Sequence, residues 1–194
     1  MRLPGLIIRF LRHCSLPKRA RTFPIADAVR HRVVHGGPDH VKLELVTPEL
    51  LDSLKRCVLL APLHLPAQIA GMKFVQEVRP SFRQVACFDT AFHRRMPELA
   101  QRLPLPRHFW DDGVRKYGFH GLSYDYIRGT LGSAARGAVI VADLWNGASV
   151  AALRDGASVD TTMGLTPAGG VIMGTRTGDL DPGVLLFLMN EQRL

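Results

Sequence analysis

Apolar residues recur along the chain with two different spacings, and these spacings predict β-strands and α-helices in turn. Short apolar runs bounded by glycine, proline or aspartate indicate strands. We predict such strands at residues 31–35, 41–46, 58–61, 84–88 and 138–142. Two further runs, at 148–153 and 157–161, flank Asp155-Gly156. That pair is typical of a type I′ hairpin turn, whose two central residues need positive φ.

Helices are predicted where a capping residue precedes proline, or where apolar residues recur every three or four positions. Thr47-Pro48 begins one helix, which we expect to end near Arg56. A second proline-opened helix carries four apolar residues on one face: Ile69, Met72, Val75 and Val78. Two later helices are predicted, one from a Ser123 cap to about Leu131 and one from Asp181-Pro182 to the chain end. Helices that alternate with strands, with a hairpin added in the later half, predict an α/β protein.

The positive charge of the chain is concentrated near its start. The net charge is +8, and residues 1–32 hold eight Lys or Arg with only one acid, Asp27. Since the rest of the chain is close to neutral, we expect no nucleic-acid partner, which would need a basic body. Residues 1–30 also lack a sustained period, so we predict a basic, poorly structured leader there. Its composition fits a transit peptide and fits equally a start that is not native to the fold.

Two features bear on the compartment. No apolar run approaches the roughly 20 residues that a membrane-spanning helix needs, so we predict no membrane partner. The three cysteines, Cys14, Cys57 and Cys87, have no CxxC spacing, and the last two lie in apolar runs, where buried free thiols are common. A reducing cytoplasm is the simplest location for such a chain.

Polar side chains follow the ends of three predicted strands. Arg32 and His35 end the first, His64 follows the third, and Asp89 and His93 follow the fourth. Ligands of open α/β sheets bind beyond the carboxyl ends of strands. Each residue alone is explained as a cap or a turn residue, but the set favours a binding site. We expect no metal site among the histidines, because two histidines four apart on a strand reach a common ion poorly and no cysteine or carboxylate completes a zinc set.

A second candidate site is the run from Asp160 to Pro182, which is rich in glycine and hydroxyl residues. Such residues let backbone N–H groups approach an anion closely. An arginine among them, Arg176, is suited to hold phosphate or carboxylate oxygens by two parallel hydrogen bonds. An ordinary turn before a capped helix explains Asp181-Pro182 but not Arg176.

Five segments together resemble the acetate kinase family, in the order that family has them. They are His31–Gly37, Ala61–His64, Phe88–His93, Tyr117–Gly121 and the run 160–182, and the resemblance covers residues 31–190. It implies an α/β fold with an incomplete actin/Hsp70/hexokinase-like (ribonuclease H-like) two-domain architecture, and a homodimer. On this basis we divide the chain into the leader 1–30, part of the first α/β domain at 31–92, and the beginning of the second at 93–194. We also expect that both ends of the family's chain are absent here, which favours a non-native start for the leader.

The resemblance also implies site residues. Arg32 is expected to bind the substrate carboxylate, and Arg176 to help hold the transferring phosphoryl group. Asp89 is expected to be the catalytic carboxylate, and His120 to stabilise the transition state. Two arginines and a histidine around one carboxylate suit phosphoryl transfer, which depends on positioning and on neutralising oxygen charge.

The nucleotide motif is matched only in part. Leu144, Asn146 and Gly147 match the family's loop along the nucleotide phosphates. Asp143 stands where the family has histidine, and Trp145 where it has glycine. An acid beside phosphates is electrostatically unfavourable, and a bulky side chain hinders close approach of the backbone. These changes weaken the expected nucleotide site more than the substrate site.

The function that the resemblance implies is acetate kinase activity, in which ATP and acetate give ADP and acetyl phosphate. ATP and Mg²⁺ are the expected cofactors, with the magnesium-binding residues expected outside this chain. We predict that the chain alone turns over weakly or not at all. Two alternatives remain open. One is a propionate or butyrate kinase, and the other is a non-catalytic remnant.

Overall fold

The computed structural model describes residues 27–191, which form two three-stranded sheets with helices around them. The strands are β1 (Ala28–Val33), β2 (Glu44–Leu45), β3 (Arg83–Phe88), β4 (Ala138–Leu144), β5 (Ala148–Arg154) and β6 (Ala157–Thr161). The α-helices are α1 (Pro48–Arg56), α2 (Leu65–Val78), α3 (Glu98–Gln101), α4 (His108–Asp111), α5 (Gly121–Leu131) and α6 (Pro182–Glu191). Three 3₁₀ helices span Val58–Leu60, Asp89–Arg95 and Gly132–Ala135.

The first sheet has the order β1-β3-β2, with β1 parallel and β2 antiparallel to β3. The register of the parallel pair runs from Ala28 opposite Arg83 to Val33 opposite Phe88. Because parallel strands end at the same edge of a sheet, the residues that follow β1 and β3 come together at that edge. This register places Arg32 beside the segment that begins at Asp89.

The second sheet is an antiparallel meander in the order β4-β5-β6. Its second hairpin turns at Asp155 and Gly156, whose φ angles are +51° and +76°. The predicted hairpin is therefore confirmed, and so is the reason for it, because both residues have positive φ. The first hairpin, between Leu144 and Ala148, is the loop that carries the partial nucleotide motif.

The larger hydrophobic core joins segments from both halves of the chain. Val33, Phe88 and the inner faces of α1 and α2 pack with Phe119, Ala148 and Met163. A smaller cluster packs α5 on the second sheet through Tyr124, Val141, Ala151 and Leu153. The division into domains at 31–92 and 93–194 remains a prediction.

Several elements follow their local signals. Thr47 caps α1, with its side-chain oxygen accepting a hydrogen bond from the backbone N–H of Leu50 at 3.2 Å. Asp181 accepts a hydrogen bond from the Gly183 N–H at the start of α6 in the same way. No helix within residues 27–191 combines the length and the apolar character that crossing a membrane requires.

Other elements differ from the predictions. The strand predicted at 58–61 is wrong, because Val58–Leu60 is a 3₁₀ helix and Leu59 is 87% exposed. Of the strand predicted at 41–46, only Glu44–Leu45 forms a strand, β2. The strand predicted at 31–35 begins and ends earlier, as β1 (Ala28–Val33). Ser123 does not cap α5, which begins at Gly121 after His120. Of the leader predicted at 1–30, residues 1–26 lie outside the described residues, and residues 28–30 form the start of β1 because β3 pairs with them.

Candidate functional site

An ion pair between an exposed arginine and a buried aspartate joins the carboxyl ends of the two parallel strands. Nη2 of Arg32 donates to Oδ2 of Asp89 at 2.6 Å, and Nε donates to Oδ2 and Oδ1 of the same carboxylate at 3.0 and 3.2 Å. Asp89 is fully buried, whereas the Arg32 side chain is 57% exposed. The carboxylate raises the pKa of Arg32. The pair therefore fixes a guanidinium that also faces solvent.

Glycine brings the start of α5 against this pair. A Cβ atom on Gly121 would lie 1.8 Å from the backbone oxygen of Asp89 and 2.6 Å from Cβ of Phe92. Only glycine permits that approach. The preceding residue, His120, has a φ of +58°, a left-handed conformation that is uncommon outside glycine. The close contact and the left-handed turn together bring the His120 imidazole towards the carboxyl ends of β1 and β3.

The His120 imidazole is held by a chain of hydroxyl groups. Its Nδ1 lies 2.9 Å from Oγ of Ser149, and the Ser149 oxygen lies 2.6 Å from the hydroxyl of Tyr124. Oδ2 of Asp143 is 3.9 Å from the same Nδ1. Burial lowers the pKa of His120, and the nearby Asp143 carboxylate opposes that shift only in part. The neutral imidazole is therefore favoured.

Arg176 reaches the site from the glycine-rich loop. Its Nη1 donates to the backbone oxygen of Pro167. The loop is closed on itself, because the Asp179 side chain accepts from the N–H of Gly170 at 2.7 Å and the Gly170 oxygen accepts from the Asp179 N–H at 2.8 Å. Arg176 is thus placed by backbone contacts of a folded loop.

One cavity of about 610 Å³ gathers most of the residues singled out from the sequence. Arg32, His120, Asn146, Gly147 and Arg176 line it, together with Asp143 and Trp145. Asp89 lies behind Arg32 and is fully buried. Leu144 does not line this cavity and is 65% exposed at the end of β4, and the nucleotide contact expected for it remains a prediction.

Two of these nitrogen donors converge beside the backbone of Gly147. A Cβ atom on Gly147 would lie 2.7 Å from Nη2 of Arg176 and 3.1 Å from Nε2 of His120. A side chain at this position would displace both groups. The missing Cβ therefore leaves an opening bordered by an arginine and a histidine, which suits an oxyanion.

The site includes residues that the sequence pattern did not single out as a set. Gln68 lines the cavity, and its side-chain oxygen accepts a hydrogen bond from the Val34 N–H at 3.1 Å. Ser149 and Tyr124 hold His120, and no spacing signal links positions 25 residues apart. Their proximity arises only because α5 packs on β5.

His64 lines the same cavity, although it follows a 3₁₀ helix and precedes α2 rather than ending a strand. Burial lowers its pKa, and Arg176 and Arg32 lower it further. Its buried Nδ1 has no hydrogen-bond partner among residues 27–191. The side chain is therefore a neutral imidazole that faces cationic neighbours.

Two other histidines at the predicted strand ends have structural contacts instead. His35 lies 3.1 Å from the Leu165 oxygen through Nε2 and accepts from the Gly37 N–H, and His93 lies 2.9 Å from the Phe119 oxygen through Nε2. Burial lowers the pKa of each to about 4. Both are buried, neutral, and absent from the cavity wall. Within the described part of the chain, no group of three or more His, Cys, Asp or Glu side chains could hold a metal ion.

Comparison with known proteins places this geometry in a family. The chain is 51% identical over 182 residues to an acetate kinase of Methylocella silvestris, which covers 91% of this chain and 45% of that protein. Among solved structures, it resembles a propionate kinase from Francisella tularensis with a TM-score of 0.82 and 42% identity, covering 87% of this chain and 45% of the other. It resembles the Porphyromonas gingivalis acetate kinase with a TM-score of 0.82 and 38% identity, covering 97% of this chain and 49% of the other.

The predicted fold class is confirmed by these likenesses, since the solved neighbours have the actin-like fold. The chain spans about half the length of the relatives it matches. The acetokinase family model matches residues 15–194. The chain therefore belongs to the acetokinase family, a family of phosphotransferases.

Proposed function

We propose that this chain carries the carboxylate- and phosphoryl-binding part of an acetate kinase, which transfers a phosphoryl group between ATP and acetate. The observation that carries the proposal is the convergence of Arg32, Arg176 and His120 on one cavity in front of buried Asp89. Phosphoryl transfer spreads negative charge over the equatorial oxygens of the transferred group. Fixed cationic and hydrogen-bonding donors stabilise that charge most effectively when they are oriented in advance.

Arg32 is proposed to bind the acetate carboxylate. A guanidinium has five N–H donors, and Asp89 engages Nε and Nη2. Among the residues that the structure describes, Nη1 makes no hydrogen bond, so it is left for a carboxylate in the cavity. Asp89, proposed as the catalytic carboxylate, holds the guanidinium plane in place. An arginine fixed in this way loses little conformational entropy when it binds.

Arg176 and His120 are proposed to hold the transferring phosphoryl group beside Gly147. In the forward reaction an acetate oxygen attacks the γ-phosphorus of ATP, and the bond from that phosphorus to the bridging oxygen breaks. The electron pair of that bond stays with ADP, so the step requires no proton from the protein. The two nitrogen donors stabilise the oxygens of the moving group.

We propose that the nucleotide side of the cavity binds its ligand more weakly than the carboxylate side does. Asn146 and Gly147 line it, but Asp143 places a carboxylate on the same wall, and Trp145 is 85% exposed there. A carboxylate near phosphates raises the free energy of the bound state. We therefore expect weak ATP binding and slow turnover from this chain.

Further parts of the proposal rest on family membership. ATP and acetate are the proposed substrates and Mg²⁺ the proposed cofactor, with a homodimer in the cytoplasm as the working assembly. Because residues 27–191 contain no cluster of three metal-ligating side chains, we assign Mg²⁺ no ligand there and derive no step through it. When bound, the ion would neutralise phosphate charge.

Two alternatives each have one observation in their favour. The likeness to a propionate kinase favours a longer carboxylate, and one methylene group changes binding by only about 1–3 kcal/mol. Asp143 and Trp145 at the cavity wall favour a chain without catalysis. A panel of acetate, propionate and butyrate distinguishes the first alternative from acetate kinase activity.

The experiment uses the 194-residue protein with isothermal titration of acetyl phosphate and of ATP with Mg²⁺, followed by an acetyl phosphate formation assay. We expect acetyl phosphate to bind, and Arg176→Ala to weaken that binding by tenfold or more, since charge-assisted hydrogen bonds contribute about 1.5–3 kcal/mol. Arg83→Ala is the control, because Arg83 is exposed on β3. The proposal would be contradicted if Arg176→Ala and Arg83→Ala bound acetyl phosphate equally well. It would also be contradicted if the parent protein bound neither acetyl phosphate nor ATP.

A further inference from the structure

Two buried hydroxyl groups lie behind the His120 imidazole, on the side away from Gly147. Ser149 on β5 is fully buried, and so is Tyr124 on α5. The Ser149 oxygen lies 2.6 Å from the Tyr124 hydroxyl and 2.9 Å from Nδ1 of His120. Three polar groups are therefore linked by two hydrogen bonds in a site that excludes bulk water.

Three arrangements of protons satisfy both bonds, because a serine oxygen can accept two hydrogen bonds. In the first, Tyr124 donates to the Ser149 oxygen and Ser149 donates to Nδ1 of His120, so every hydroxyl hydrogen has an acceptor. In the second, Nδ1 carries a proton and donates to Ser149, and Ser149 donates to Tyr124. The Tyr124 hydrogen then has no acceptor, because within residues 27–191 the Tyr124 hydroxyl hydrogen-bonds only to Ser149. In the third, Nδ1 and Tyr124 both donate to Ser149, and the Ser149 hydrogen has no acceptor among the described residues.

The first arrangement has the lowest free energy. A buried donor without an acceptor costs about 1–3 kcal/mol, and burial of Tyr124 raises the pKa of its hydroxyl to about 12, so the hydrogen stays in place near neutral pH. The Asp143 carboxylate attracts a proton to Nδ1, but at 3.9 Å it is too far for a hydrogen bond. The 2.9 Å bond to Ser149 therefore decides the tautomer.

We propose that Ser149, held in place by Tyr124, is a positioning residue that keeps His120 in the neutral form with its proton on Nε2, so that Nε2–H is a fixed hydrogen-bond donor beside Gly147 and Arg176. In the other tautomer, Nε2 would present a lone pair to an incoming anion. The use of this donor for a phosphoryl oxygen rests on the proposed function, but the tautomer itself does not.

Other charged groups around His120 affect its protonation and leave this donor unchanged. The carboxylates of Asp143 and Asp89 favour the imidazolium, and Arg32 and Arg176 oppose it together with burial. His64 and His93 lie close enough for the charge of His120 to affect their pKa values. Since the imidazolium also carries a proton on Nε2, the donor beside Gly147 persists in both forms.

The direct test is ¹⁵N NMR of the histidine rings in the 194-residue protein at mildly alkaline pH, with His120 assigned from a His120→Gln variant. We expect the His120 proton on Nε2 in the parent protein. Ser149→Ala should shift His120 towards a mixture of tautomers, whereas Tyr124→Phe should leave the proton on Nε2, because the Ser149 hydrogen still has Nδ1 as its acceptor. Tyr126→Phe is the matched control, since Tyr126 is on the same helix and 74% exposed. His93, whose Nε2 faces the Phe119 oxygen, is the internal control in each spectrum.

A proton on Nδ1 in the parent protein would overturn the proposal, and this measurement needs no variant to fold. An unchanged tautomer in Ser149→Ala would also overturn it. Titration of inorganic phosphate gives the second readout. Ser149→Ala should weaken phosphate binding about twofold or more, since only the fraction of His120 with its proton on Nε2 is competent to donate. If the parent binds no phosphate but has the expected tautomer, the proposed function fails and the positioning role stands.

Discussion

Replacing Arg32 with alanine tests whether the strand-end ion pair organises the site. Asp89 is fully buried, and Arg32 is the only residue of the described chain that forms a salt bridge with it. Removing one partner of a buried pair typically costs 3–5 kcal/mol, since an uncompensated charge remains. Charges about 4 Å apart at an effective dielectric constant of 20 interact by about 4 kcal/mol. Because the Arg32 side chain is 57% exposed, solvent screens part of this interaction. We therefore expect a loss of about 2–3 kcal/mol.

The assay is urea-induced unfolding of the parent, Arg32→Ala, Asp89→Asn and the double variant. The double variant should lose less stability than the sum of the single losses, because it contains no buried unpaired carboxylate. Arg83→Ala, which removes an exposed arginine from β3, should change the free energy of unfolding by less than about 0.5 kcal/mol. The reasoning is refuted if Arg32→Ala costs no more than Arg83→Ala, or if the two losses simply add.

Two further predictions concern the helix start and the buried histidines. Gly121→Ala should cost about 3 kcal/mol or more, since its Cβ would lie 1.8 Å from the Asp89 oxygen. Gly129→Ala on the same helix meets no atom within 4 Å and should raise stability by up to about 1 kcal/mol. Thermal unfolding of both variants checks this, and equal melting temperatures would contradict it. The folded-state pKa values of His35 and His93 are about 4, below the ordinary 6.5. Between pH 4 and pH 6.5 the unfolded chain therefore binds more protons than the folded chain. Stability is then complete above pH 6.5 and falls towards pH 4 by about 1.4 kcal/mol per pH unit for each histidine, and His35→Gln should make the measured slope shallower.

Where a local signal has a specific physical cause, the sequence was a reliable guide to structure. The turn at Asp155-Gly156 was predicted because type I′ geometry needs positive φ, and both residues have it. The helix after Thr47 was predicted from its cap, and the capping hydrogen bond is present. Such features depend on neighbours a few residues away, so tertiary contacts have little scope to change them.

Where the signal was only an apolar run, the sequence did not decide between structures. Residues 58–61 were predicted as a buried strand and form a 3₁₀ turn between two helices, with Leu59 exposed. A short apolar run is compatible with a strand or a helical turn, and its packing decides which forms. At Ser123 the predicted cap failed because contact of Gly121 with the Asp89 backbone places the cap at His120, three residues earlier.

The sequence by itself determined the α/β character, the motifs of the family, and the residue types that could bind an anion. The tertiary structure alone decided that Arg32, His120 and Arg176 share one cavity and that Leu144 lies outside it. It also decided the contacts of His120 with Ser149 and Asp143. The physical reason is that these residues lie far apart along the chain. Strand ends meet through sheet register, and helix α5 contacts β5 through packing. Neither contact depends on a spacing that a linear pattern contains.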